Sequence, residues 1–96
     1  MDDFPLRLGR AMQVSGMNPA NLAVWFGRPY PTIYFWLSGA RTPSKVYGMG
    51  GEVRRRLGLL ERAIAAGDGF PIPHEIRKND RGAYVRTLFA RHDTVP

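Results

Sequence analysis

With 96 residues, 44% of them hydrophobic and 11% aromatic, the chain is long enough for one compact core and too rich in large apolar side chains for a disordered polymer. It has no cysteine, which excludes a disulfide framework and thiolate metal sites and fits a reducing compartment, so the cytoplasm is the expected location. No apolar run approaches the roughly 18 residues needed to cross a bilayer, and Met1-Asp2-Asp3-Phe4 is acidic where a signal peptide would be basic, so no membrane partner is expected.

The formal net charge of +6 is unevenly spread. Residues 1–27 cancel through Asp2, Asp3, Arg7 and Arg10, and residues 57–96 hold six basic against five acidic side chains. Residues 28–56 carry Arg28, Arg41, Lys45, Arg54, Arg55 and Arg56 against Glu52 alone, hence +5 of the total. A cationic segment of this kind is the footprint expected of a protein that meets a polyanion.

The first helix is predicted from about Pro5 to Ser15, closed by Gly16, with Phe4, Leu8, Ala11 and Met12 recurring at the spacing of one buried face. Asn18 followed by Pro19 is a cap-and-first-turn signal, so a second helix is expected over Ala20 to Phe26, ending at Gly27. Arg28-Pro29-Tyr30-Pro31 reads as a tight connection, and Thr32 to Leu37 as a short third helix with Ile33, Trp36 and Leu37 inward. Ser38-Gly39 ends it. Ala40 to Ser44 is a basic loop, and Gly48-Met49-Gly50-Gly51 reads as a hinge, because glycine weakens a helix. Glu52 to Ala66 is the most periodic stretch, with a stripe of Val53, Leu57, Leu60 and Ile64 and a stop at Gly67. A turn and an extended strip run from Asp68 to Pro73. Asn79 or Asp80 then caps a last helix to about Arg91 that has Val85, Leu88 and Phe89 to bury. The expected fold class is therefore all-α, a small helical bundle over residues 1–66 followed by a C-terminal extension, 67–96, of turn and helix.

The run Leu22 to Pro43 resembles, without a gap, the helix-turn-helix of the lambda-repressor and Cro-like (Xre-type) DNA-binding family. Leu22-Ala23, Gly27, Thr32-Ile33, Trp36, Gly39, Arg41 and Pro43 carry the resemblance. Each has a physical reason: Ala23 lets the two helices cross closely, Gly27 makes the turn, Ile33 and Trp36 pin the second helix to the core. The resemblance implies a recognition helix in a major groove, with Arg28, Tyr30, Thr32 and Tyr34 facing bases. It also implies phosphate contacts by Asn18 and Asn21 at the start of the preceding helix, and by Arg41, Thr42 and Lys45 in the loop that follows. A small transcriptional regulator or repressor of phage or prophage origin, binding double-stranded DNA as a homodimer, is the function so implied.

The residues themselves qualify that reading. Tyr30, Pro31, Tyr34 and Phe35 stand where the family presents polar side chains, and they cannot make the usual bidentate base contacts. Two alternatives therefore stay open: a protein-interaction adaptor using this aromatic surface, or a single-strand binder that stacks bases on its tyrosines. Trp25, Phe26 and Trp36 fall on inward positions and read as core. Arg54-Arg55-Arg56 spans too much of a helix circumference for all three to face one duplex, which leaves Arg54 and Arg55 as candidate phosphate contacts. Tyr84, Val85, Leu88 and Phe89 either form a dimer contact or fold back on the core. His74 and His92 lack ligand-spaced partners, and no phosphate loop or catalytic constellation is evident. No enzyme activity, metal, cofactor or small-molecule substrate is expected.

Overall fold

The computed structural model describes residues 2–43 and 50–93, and within them the chain is an all-α small helical bundle. Its elements are α1 (Phe4–Ser15), α2 (Pro19–Phe26), α3 (Tyr30–Ser38), α4 (Gly50–Ala66) and, after a 3-10 turn at Lys78–Asp80, α5 (Arg81–His92). No helix among the described residues is long and apolar enough to cross a membrane.

Local chemistry sets the helix ends. Asn18 caps α2 by accepting from the Asn21 backbone N–H at 2.8 Å, while the Asn21 side chain accepts from the Asn18 N–H at 3.1 Å, a reciprocal capping box ahead of Pro19. Gly27 closes α2 with φ +63°, a left-handed conformation that costs a glycine little. A Cβ there would also stand 3.1 Å from the Arg56 guanidinium. Pro29 is extended and precedes α3, so the helix begins at Tyr30 with Pro31 in its first turn, earlier than the predicted start at Thr32. Gly50 and Gly51 belong to α4, which overturns the expected hinge at those two positions. Gly48 and Met49 lie outside the described residues.

One core joins all five helices. Phe4, Leu8, Leu22, Trp25, Phe26, Ile33, Leu57, Leu60 and Val85 are fully enclosed, with Trp36 and Leu88 nearly so. α1 rests on α3 and α4, and α2 on α3, α4 and α5. Rings meet edge to face throughout: Phe4 and Phe26 against Trp36 at 5.7 and 5.6 Å, Phe70 and Phe89 against Trp25 at 5.8 and 5.1 Å. The Trp25 indole N–H donates to the Arg56 carbonyl at 2.9 Å, so the largest buried ring leaves no polar group unsatisfied. The buried stripe of α4 ends on Ala63, and Ile64, one residue further round, is only partly buried.

The segment after Gly67 folds back. Phe70 and Ile72 are buried from the extended strip, the Ile72 N–H donates to the Ser15 carbonyl at 2.9 Å, and the Tyr84 hydroxyl donates to the Gly69 carbonyl at 2.6 Å. Val85 and Leu88 therefore spend their apolar surface inside their own chain, packed over α2. A division at residue 67 marks no break in the core.

Candidate nucleic-acid interface

The outer face of α3 follows from its phase. Ile33 and Trp36 point into the core, which turns Tyr30, Pro31, Tyr34, Phe35 and Ser38 outward, all five exposed. Tyr30, Tyr34 and Phe35 are 45%, 50% and 41% exposed, the exposed aromatic side chains among the described residues. Tyr30 and Tyr34, one turn apart, meet edge to face at 4.9 Å and share a hydroxyl–hydroxyl hydrogen bond of 2.7 Å. That bond raises the Tyr30 phenol above its ordinary value of 10.0.

Phe35 carries a cation. The Arg41 guanidinium sits 4.7 Å from its ring centroid, while the Arg41 N–H donates to the Phe35 carbonyl at 3.2 Å and so holds the loop against the end of α3. Arg41 is exposed and makes no ion pair with a described residue. Thr42 beside it is exposed as well. At the other end of α3, Arg28 donates to the Gly27 carbonyl at 3.1 Å, and its second terminal nitrogen is buried without a partner among the described residues. Ser38, exposed one turn beyond Tyr34, completes the face; its hydroxyl donates to the Phe35 carbonyl at 3.1 Å. The i, i+4 spacing from Tyr34 was the signal for it.

The structure does not gather all the predicted residues. Thr32 is half-buried and lies about 160° around α3 from Tyr30, since two residues on a 3.6-residue helix are that far apart, so these two flank the face from opposite edges. Asn21 is only 5% exposed, enclosed by the capping box and by Arg81 of α5, whose Nε donates to the Asn21 side-chain oxygen at 3.3 Å. Arg81 also donates to the Gly16 carbonyl. It thus occupies the approach to the start of α2, a position with no signature within the hairpin, sixty residues upstream of it in the chain. Asn18 remains exposed. Lys45 lies outside the described residues.

The basic middle third is also less cationic at the surface than its composition. Arg54 pairs with Asp2 at 2.5 Å, donates to the Pro43 carbonyl at 2.7 Å and lies 5.2 Å from the Phe4 ring. Arg55 bridges Glu52 at 2.6 Å and Asp93 at 2.8 Å. Arg56 pairs with Glu52 at 3.0 Å, donates to the Trp25 carbonyl at 3.1 Å and stacks 4.4 Å from Phe89. The hydrogen bonds from Arg55 and Arg56 hold the Glu52 carboxyl at about 2, and Glu52 and Asp93 together push the Arg55 guanidinium up. The arginine run is a set of internal cross-links, and Arg54 and Arg55 are turned toward carboxylates of their own chain. Their nomination as phosphate contacts came from local charge, which is blind to partners 52 and 38 residues away.

Among the described residues no cluster of three histidine, aspartate or glutamate side chains stands close enough to hold a metal ion. His74 is exposed, and His92 lies 3.1 Å from Asp68, which also pairs with Arg91. What the α3 face offers chemically is three aromatic edges, one hydroxyl pair and flanking arginines. Compared with known proteins, the chain matches no family model, no curated protein and no solved structure.

Proposed function

We propose that this chain binds double-stranded DNA by laying α3 into a major groove, and that it serves as a small transcriptional regulator. The observation that carries the reading is the outer face of α3: a helix held from behind by Ile33 and Trp36, preceded by a glycine turn and α2, with Tyr30, Tyr34 and Phe35 exposed between Arg28 and Arg41. A helix of about 10–12 Å diameter fits the major groove, and arginines at its two ends suit the phosphates on either side. Asn18, Arg41, Thr42 and Lys45 supply positioning contacts in this reading. Arg54 and Arg55 do not, because they are engaged with Asp2, Glu52 and Asp93.

The test is a titration of mixed-sequence duplex across a salt series. Each neutralised phosphate lowers log affinity by about 0.9 per unit of log salt, so a steep negative slope is expected. Absence of duplex binding at low salt overturns the reading. Arg41→Ala should weaken all sequences alike, and a loss confined to preferred sites would show that Arg41 reads bases. Selection from a random pool decides the stoichiometry: a palindrome with half-sites one turn apart marks two copies, an isolated half-site one. With Val85 and Leu88 enclosed, two copies would meet through a surface other than the buried stripe of α5.

One observation favours a second reading. The exposed face of α3 is aromatic, and three of the nearby arginines are neutralised within the chain, which is the surface of a protein-docking adaptor. A flat salt response with capture of a protein partner through Tyr34 would select it.

A further inference from the structure

The hydrogen-bonded tyrosines of α3 have a valence that neither has alone. A phenol carries one proton and two acceptor lone pairs. The 2.7 Å bond between the Tyr30 and Tyr34 hydroxyls consumes one proton of the two and one lone pair of the four. What remains at the exposed edge is a single O–H donor on one oxygen and free acceptor positions on both. The side-by-side donor and acceptor match the pattern that an asparagine or glutamine amide presents. In the major groove adenine offers an N7 acceptor beside an N6 amino donor, whereas guanine offers two acceptors, N7 and O6, and calls for two donors. The pair has one donor to give, so it satisfies adenine at both positions and leaves guanine with an unpaired acceptor. The edge-to-face packing of the two rings at 4.9 Å restrains the hydroxyls before any partner arrives, which reduces the entropy lost on contact.

We propose that the Tyr30–Tyr34 hydroxyl pair acts as one composite reader of adenine, making A·T base pairs the preferred contact of α3. The proposal rests on the duplex-binding reading above. It accounts for a recognition face that lacks polar forks yet is not featureless: the fork is assembled from two residues one turn apart instead of from one amide.

The experiment separates the two levels. Sites are selected from a random duplex pool with the full chain, and the winning duplex is remade with 7-deazaadenine at the enriched positions, which deletes the N7 acceptor without touching the protein. Selection is expected to enrich adenine, and the deaza duplex to bind about tenfold more weakly, the scale of one bidentate base contact. The same comparison with Y30F/Y34F, checked for an unchanged melting temperature, should bring the adenine-to-deaza affinity ratio to one, while Arg41→Ala keeps the ratio and lowers both affinities. Enrichment of guanine, indifference to 7-deazaadenine, or an undiminished ratio in Y30F/Y34F overturns the composite reader and leaves duplex binding standing. No binding to any duplex at low salt overturns both.

Discussion

Trp36 and Tyr34 stand two residues apart on α3, yet one is 6% exposed and the other 50%. The contrast extends to their neighbours. Phe4, Phe26 and Trp36 meet edge to face inside the bundle at 5.6–5.7 Å, and Tyr30 and Tyr34 meet edge to face outside it at 4.9 Å. Ring geometry is therefore common to both clusters and cannot tell a core from a binding face. The difference is what lies behind the rings and where their polar atoms go. The Trp25 N–H is satisfied by a backbone carbonyl within the core, whereas the tyrosine hydroxyls bond to each other at the surface and leave one proton uncommitted between them. The inner cluster holds the fold, and the outer one is free of that duty.

Mutations sharpen or break this contrast. Trp25→Ala should cost the most, about 3–5 kcal/mol in a denaturant melt, because it removes a fully enclosed ring that packs on both Phe70 and Phe89. A loss under 1 kcal/mol would mean the C-terminal segment contributes little to the core. Gly69→Ala comes next. Its Cβ would fall 2.6 Å from the buried Leu88 side chain at φ +87°, so about 1–3 kcal/mol of overpacking and backbone strain is expected in the same assay.

Acid should have a smaller effect through Glu52, whose carboxyl lies at about 2 against an ordinary 4.5. A carboxyl with a folded-state value below its unfolded one stabilises the fold fully above about pH 4.5, and the contribution is lost as the pH falls through about 2. Glu52→Gln should flatten that part of a stability–pH curve, and an unchanged curve would remove Glu52 from the arginine cluster. Tyr34→Ala should change stability least, within about 0.5 kcal/mol, as expected for an exposed side chain. If it melts like Gly69→Ala, the outer rings are structural and the contrast fails.

How much of this was legible in the sequence depended on range. Asn18-Pro19, Gly27 and Gly39 act through bonds within one turn, and the helix ends follow them closely. α3 starts two residues before the expected Thr32: a proline disfavours helical angles at the residue before it, yet Tyr30 is helical ahead of Pro31, which sits in the first turn. The choice of Ala63 over Ile64 in the stripe of α4 depends on tertiary packing, which no local period contains. In the candidate site, Tyr30 and Tyr34 were legible as an i, i+4 pair, and their hydroxyl bond follows from that spacing. The enclosure of Asn21 by Arg81 was not legible, nor was the neutralisation of Arg54 and Arg55, because each depends on a partner brought in by tertiary folding. Charge summed along a segment reflects composition, whereas surface potential depends on which charges pair after folding.

Arg54 and Arg55 are consecutive residues of α4, and they hold Asp2 and Asp93 respectively. Two residues at opposite ends of the sequence are thereby held to a single turn of α4. The arrangement suits rewiring: a linker joining the two ends, with new ends opened at Gly67, should yield a permuted chain that keeps the same bundle, and the bundle could be inserted whole into a surface loop of a carrier protein without pulling its helices apart.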